Sequence, residues 1–107
     1  MPKLVTDAGH GITREFRLPP GVTTVGRSAA NGIAVSDVTL SRNHARIAVG
    51  PEFTEIEDTG SSSGTFVNDR RIVRCRLSVG DRIRCGGVVF DFVPDDGSNA
   101  TPPRPSV

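Results

Sequence analysis

Short stretches in which apolar and polar residues alternate, separated by glycine and proline, constrain the fold of this chain most strongly. The clearest of these stretches are residues 14–18, 46–49, 81–85 and 88–93. A period of two is typical of half-buried antiparallel strands, and it places Val88, Phe90 and Phe92 on one face. Twelve glycines and eight prolines interrupt the chain too often for a long amphipathic helix. The sequence therefore predicts an all-β protein of many short strands, a sandwich or a barrel.

Size and charge limit the classes of partner. A chain of 107 residues suits one domain with a modest core. Its 13 basic and 12 acidic residues give a net charge of +1, and it has no Tyr or Trp for base stacking. We therefore expect no nucleic acid and no membrane as a partner. The N-terminus lacks an apolar signal core, and no run approaches the ~18 apolar residues of a membrane span, so we expect a cytoplasmic protein.

The composition changes near residue 94. We expect residues 1–93 to form the domain and residues 94–107, which are polar and rich in proline, to form a flexible tail or linker. Such a tail often leads into another domain, so an attached C-terminal domain is one expectation. Thr101 precedes a Pro-Pro pair in this segment, and a phosphate on Thr101 is a hypothetical ligand for the domain itself.

The cysteines and histidines do not predict a metal site or a cofactor. Cys75 and Cys85 do not form a CxxC pair, and the chain has only two histidines, His10 and His44. We expect two reduced thiols that pack as small apolar groups, with a disulfide open only if strands align them.

The last third of the chain is rich in arginine. The alternation places Arg82 and Arg84 on the same face, opposite Ile83. A solvated sheet face is the simplest interpretation, and a secondary surface for an acidic partner is the alternative.

Three short motifs follow one another in a fixed order, each where the strand pattern predicts a loop. They are Gly26-Arg27, the sequence SRNHA at 41–45, and DTGSSSGTFVN at 58–68. Together they resemble the forkhead-associated (FHA) domain, over roughly residues 3–93. The resemblance implies a two-sheet antiparallel β-sandwich with ligand-binding loops at one end. It also implies binding of phosphothreonine in partner proteins, without catalysis.

A phosphothreonine carries nearly two negative charges and several strong acceptor oxygens, so its reader needs cationic and hydroxyl donors held in place. The resemblance assigns phosphopeptide contacts to a set of five residues. They are Arg27, Ser41, Arg42, Ser62 and Ser63. Most family members have Asn where this chain has Ser63, and that Asn holds the backbone of the ligand. Serine is shorter, which implies weaker anchoring or anchoring by another residue.

The resemblance assigns structural support of the binding loops to a second set of residues. They are Gly26, His44, Asp58, Gly64, Thr65 and Asn68. We expect Gly26 to allow unusual backbone angles, and we expect Asp69, in place of the usual Gly, to remain compatible with a tight turn.

The leading hypothesis is a phosphothreonine-dependent protein–protein binding module that acts in Ser/Thr-kinase signalling. The alternative is a phospho-independent scaffold or oligomerisation domain on the same fold, which the serine at position 63 motivates. A small hydrolase that uses Ser41, His44 and Asp58 is a third hypothesis, but no nucleophile elbow surrounds the serine.

Overall fold

The computed structural model describes residues 2–9 and 12–93 of the chain. The expected tail at 94–107, with Thr101, and also His10, lie outside the described residues. Within them the chain forms eleven strands, and the regular structure is all β. The strands are β1 Lys3–Gly9, β2 Ile12–Arg17, β3 Gly21–Gly26, β4 Ile33–Ala34, β5 Ala45–Val49, β6 Thr54–Asp58, β7 Thr65–Val67, β8 Arg70–Ile72, β9 Arg74–Leu77, β10 Arg82–Cys85 and β11 Val88–Val93.

The strands form two sheets, which confirms the predicted two-sheet β-sandwich. The first sheet has the order β2-β1-β11-β10-β7-β8, and the second has the order β4-β3-β5-β6-β9. The pairs in both sheets are antiparallel, with one exception. The two-residue strand β4 pairs with β3 in parallel, Val25 opposite Ile33 and Gly26 opposite Ala34. This short pairing brings the chain after β4 back past Gly26.

The core lies between the sheets and follows the alternation of the sequence. Val88, Phe90 and Phe92 are buried on one face of β11, as predicted. Phe16 packs edge-on against Phe90, with ring centroids 6.5 Å apart. The second sheet contributes Ile47 and other buried residues from its own inner face. Because β5, β6, β10 and β11 bury alternate residues, the loops at the strand ends are positioned by a packed scaffold.

The two cysteines lie in different sheets. Cys75 is in β9 and Cys85 is in β10, and both are free. Burial, together with the charge of Asp58, raises the pKa of the Cys85 thiol to about 12. Cys85 therefore packs as a neutral apolar group, as predicted for both thiols.

The turn between β7 and β8 supports the expectation for Asp69. Asn68 and Asp69 have φ of 52° and 70°, so both central residues are left-handed, as in a type I′ hairpin turn. Asn and Asp tolerate this conformation better than other residues that have a side chain. The usual glycine is therefore not required at position 69.

Among residues 2–9 and 12–93 there is no helix with the length and apolar character that a membrane crossing requires. In the same part of the chain, no three His, Cys, Asp or Glu side chains lie close enough together to hold a metal ion.

Candidate phosphopeptide site

Backbone and side-chain hydrogen bonds connect four loops at one end of the sandwich. The amide of Arg27, after β3, donates to the carbonyl of Ser41, 3.0 Å away. The amide of Ser62, between β6 and β7, donates to Ser41 Oγ at 3.0 Å. The amide of Gly87, between β10 and β11, donates to Thr39 Oγ1 at 2.8 Å. The segment between β4 and β5 is therefore the centre of the cluster, and the other three loops contact it.

Arg27 is exposed at the end of β3, and its guanidinium is oriented by the neighbouring loop. Its Nε donates to the carbonyl of Leu40 at 3.2 Å. This bond uses one of the five guanidinium donors and leaves the terminal Nη groups for a ligand. A guanidinium held in this way suits bidentate contact with an oxyanion.

Gly26 is required because the backbone of Arg42 lies directly against it, and not because of unusual backbone angles, as the sequence predicted. Gly26 is not among the residues with positive φ. A Cβ atom at this position would overlap the carbonyl oxygen of Arg42 and would lie 2.7 Å from Asn31 Nδ2. The loop that carries Ser41 and Arg42 thus packs directly against the backbone at the end of β3.

His44 is fully buried and joins two of the loops. Its Nδ1 accepts a hydrogen bond from the amide of Ser41 at 3.1 Å. Its Nε2 lies 2.9 Å from the carbonyl oxygen of Gly64. Because Nδ1 accepts from an amide, the neutral tautomer carries its proton on Nε2 and donates it to Gly64. His44 therefore links the Ser41 loop to the Gly64 loop.

Asp58 organises the turn after β6. Its two carboxylate oxygens accept hydrogen bonds from the amides of Gly60 and Ser61 and from the hydroxyls of Ser61 and Thr65. Burial acts to raise the pKa of Asp58, but these hydrogen bonds outweigh it and lower the pKa from 3.8 to about 2. The turn therefore depends on an ionised Asp58.

The lowered pKa predicts that acid weakens this turn. The folded state binds the Asp58 proton less tightly than the unfolded chain, so the stabilisation is complete above pH 4 and is lost as the pH falls towards 2. We expect the ionised Asp58 to contribute about 1 kcal/mol to the free energy of unfolding, after allowance for solvent around a half-buried carboxylate. Urea unfolding of the wild type and of Asp58→Asn between pH 2 and 6 would measure it.

The matched control for this measurement is Asp69→Asn, because Asp69 is exposed and its turn accepts asparagine equally well. The free energy of unfolding should depend less steeply on pH in Asp58→Asn than in the wild type or in Asp69→Asn. Equal slopes in all three proteins would show that the hydrogen bonds to Asp58 do not lower its pKa in the folded state.

The two serines before Gly64 are both exposed, but their hydroxyls differ. Among the described residues, the Ser62 hydroxyl has no hydrogen-bond partner, while the Ser62 amide is bonded to Ser41 Oγ. Ser63 Oγ donates to the carbonyl of Thr39 at 3.1 Å. Ser63 thus joins the third motif to the segment before Ser41, and its oxygen keeps acceptor capacity for a ligand amide.

Arg42 is exposed and follows Ser41 in the segment between β4 and β5. The carbonyl of Arg42 accepts from the amide of Ser28 at 3.3 Å and from Asn31 Nδ2 at 2.7 Å. Among the described residues, the guanidinium of Arg42 has no carboxylate within 4 Å. Arg42 is therefore available to a ligand.

The sequence analysis missed three supporting residues, Asn31, Asp37 and Thr39. Asn31 is buried and connects the β3–β4 loop to Arg42, although its sequence signal was only that of a turn. Asp37 accepts hydrogen bonds from the amide and hydroxyl of Thr39 at 2.8 and 2.5 Å, and the hydroxyl contact lowers the pKa of Asp37. An Asp two residues before a Thr is a recognised turn pattern and could have predicted this contact.

Asn68 is not brought to this cluster. It lies at the other end of β7, and its side chain bonds to Asp81 Oδ1 and to the amide of Arg82, each at 3.0 Å. Asn68 thus connects the β7–β8 turn to the turn between β9 and β10. The other residues named for loop support lie at the loop cluster around Ser41.

Ser41, His44 and Asp58 do not assemble as a catalytic triad. His44 Nδ1 bonds to the backbone amide of Ser41 and not to its hydroxyl, and Nε2 bonds to Gly64. The carboxylate of Asp58 is directed at its own turn. The histidine therefore cannot take a proton from Ser41, as a nucleophilic mechanism would require.

Comparisons with known proteins agree with this geometry. The sequence model of the FHA domain matches residues 23–86. The ABC transporter ATP-binding/permease protein Rv1747 of Mycobacterium tuberculosis is 41% identical over 83 residues, which are 78% of this chain and 9% of that protein. The chain spans less than two thirds of the length of the curated relatives it matches.

Solved structures give the same result. The FHA domain of the CT664 protein from Chlamydia trachomatis superposes with a TM-score of 0.82 and 34% identity, over 86% of this chain and 95% of that one. The yeast Dun1 FHA domain, solved with a doubly phosphorylated (pT) peptide derived from Rad53, superposes with a TM-score of 0.77 and 26% identity, over 94% and 78%. The family model covers more than half of the chain, so this protein belongs to the FHA domain family.

Proposed function

We propose that this domain is a phosphothreonine-dependent protein–protein binding module in Ser/Thr-kinase signalling. The observation that carries the proposal is the guanidinium of Arg27, oriented by the carbonyl of Leu40 at the cluster that also presents Ser41. These are the donors that a phosphate requires, and loops on a rigid β-scaffold hold them. The solved Dun1 domain, bound to a phosphothreonine peptide, supports the same chemistry.

Each binding residue has a role that its contacts support. Arg27 contacts the phosphate through its Nη groups. Ser41 Oγ accepts from the amide of Ser62, so its own proton is directed to a phosphate oxygen. The Ser62 hydroxyl is a further donor. Arg42 contacts the phosphate or the peptide, and Ser63 accepts from an amide of the peptide backbone while it donates to Thr39.

The biological role follows from the origin of the ligand. Protein kinases produce phosphothreonine, so the module docks onto a partner after a kinase has modified it. The domain acts by binding and does not catalyse a reaction on the partner. We place this role in the cytoplasm, with residues 1–93 as the binding module.

The experiment that tests the proposal is a titration of fluorescent peptide pools. The pools have a fixed phosphothreonine, phosphoserine or unmodified threonine within randomised flanks, and fluorescence anisotropy reports binding. Two charge-assisted hydrogen bonds to one phosphate, at about 1.5–3 kcal/mol each, predict at least 100-fold weaker binding of the unmodified pool. Equal binding of all pools would contradict the proposal and favour the phospho-independent scaffold.

A further inference from the structure

An additional arginine lies directly beside the third motif. Arg71, on β8, is exposed, and its guanidinium lies over the backbone of Gly64. A Cβ atom on Gly64 would be 3.0 Å from Arg71 Nε and 3.2 Å from its Cζ. The missing side chain of Gly64 thus makes room for a cation next to Ser63.

Arg71 begins a row of side chains across the outer face of the first sheet. In the strand register, Arg71 lies opposite Phe66 on β7, and Phe66 lies opposite Arg84 on β10. Arg84 in turn lies opposite Val89 on β11. Phe66 faces outward because its neighbours Thr65 and Val67 are buried. The Arg84 guanidinium lies 4.2 Å above the Phe66 ring. We call Arg71, Phe66 and Arg84 the arginine row.

The arginine row is not neutralised within the described chain, unlike three other arginines on the sheet faces. Three such arginines have a carboxylate partner: Arg46 with Glu57 at 2.7 Å, Arg74 with Glu55 at 3.7 Å, and Arg82 with Asp91 at 3.0 Å. In the described residues, neither Arg71 nor Arg84 has a carboxylate within 4 Å. Two uncompensated guanidinium groups therefore flank one aromatic ring.

The groove next to the row is open enough for a peptide. It has a volume of about 360 Å³ and is lined by Asn68, Asp69, Arg82, Arg84 and Val89. Asp69 lies in the turn at the end of β7 farthest from Gly64, and the nearby Arg82 is paired with Asp91. Of the two arginines that line the groove, Arg84 is therefore the one that has no carboxylate partner among the described residues.

We propose that the arginine row is a secondary recognition site for acidic residues next to the phosphothreonine of the partner. The inference rests on the proposed function. Neighbouring strands are about 4.8 Å apart, and an extended peptide rises about 3.3 Å per residue. Arg71 and Arg84 are two strands apart, so acidic residues two to four positions from the phosphothreonine, on one side of it, reach them.

The test compares phosphothreonine peptides that share one neutral parent sequence. Aspartate is placed in turn at the second, third and fourth positions on either side of the phosphothreonine. In a further set of peptides phosphoserine replaces the aspartate, which shows whether the site prefers a carboxylate or a second phosphate. Exposed ion pairs are modest, so we expect about five-fold tighter binding for acid on one side only. The ratio to the parent should fall towards one in Arg71→Gln and Arg84→Gln, and also at 0.5 M salt.

The matched control is Arg76→Gln, because Arg76 also lies over a phenylalanine, Phe53, at 4.0 Å, but on the other sheet. It should keep the five-fold ratio. If no position of the aspartate changes the affinity by more than two-fold, or if the ratio survives in Arg71→Gln and Arg84→Gln, the arginine row is not a recognition site. If the parent peptide itself does not bind the folded protein, the proposed function fails as well, so the two failures are distinguishable.

Discussion

Replacement of Arg27 by alanine should weaken binding of a phosphothreonine peptide by at least about 100-fold. The guanidinium supplies charge-assisted hydrogen bonds of about 1.5–3 kcal/mol each, and two of them correspond to this loss. Arg27 is exposed, and its one described side-chain hydrogen bond goes to the carbonyl of Leu40. The free energy of unfolding should therefore change by less than about 1 kcal/mol. Fluorescence anisotropy and urea unfolding measure the two quantities.

Arg27→Lys separates charge from geometry. Lysine keeps the positive charge but offers a point donor in place of a planar fork, and it cannot donate to Leu40 and to two phosphate oxygens in the same way. We expect lysine to restore only part of the lost affinity. Full affinity in Arg27→Ala, with binding still dependent on the phosphate, would move the phosphate contact to Arg42 and overturn the role of Arg27.

Gly26→Ala should disrupt the site through a steric effect and not through backbone angles. The new Cβ would overlap the carbonyl oxygen of Arg42, and neither backbone can move without breaking contacts with Asn31 and Ser41. We expect a loss of about 2–4 kcal/mol in unfolding free energy, the range of severe overpacking. Because the Arg42 loop carries Ser41, peptide affinity should fall by at least ten-fold in the fraction that remains folded.

Gly50→Ala is the matched control, because Gly50 lies between β5 and β6 and its Cβ would meet only the carbonyl of Phe53 at 3.3 Å. Gly50→Ala should lower the free energy of unfolding by less than about 1 kcal/mol and leave peptide binding unchanged. Urea unfolding and titration of the same peptide compare the two variants. Wild-type stability and affinity in Gly26→Ala would show that the loop tolerates displacement and that the close approach is not required.

Local sequence was enough to predict four of the strands, β2, β5, β10 and β11. The alternation at 88–93 predicted the buried face of β11, and that at 81–85 predicted that Arg82 and Arg84 face outward. These predictions hold because the face of a strand residue depends only on the period of the chain. The two-residue strand β4 is too short to show a period, and its parallel pairing with β3 was not predicted.

The candidate site was only partly predictable. The motifs located Arg27, Ser41 and Ser62, but the motif that contains Asn68 continues to the other end of β7. Thr39 was missed, although it contacts Ser63 and Gly87, because its partners lie 24 and 48 residues away. No local pattern reports a partner at that distance.

From the sequence we could derive the all-β class and the inward faces of the longer strands. These depend on residue type and on short-range periodicity. The residues proposed to contact the phosphate were assigned through the resemblance of the three motifs to the FHA domain. The tertiary structure was needed for the reason that position 26 is a glycine, for the role of His44 between Ser41 and Gly64, and for the position of Arg71 over Gly64. Each of these depends on the distance between segments far apart in the chain, and that distance is set only when the two sheets pack.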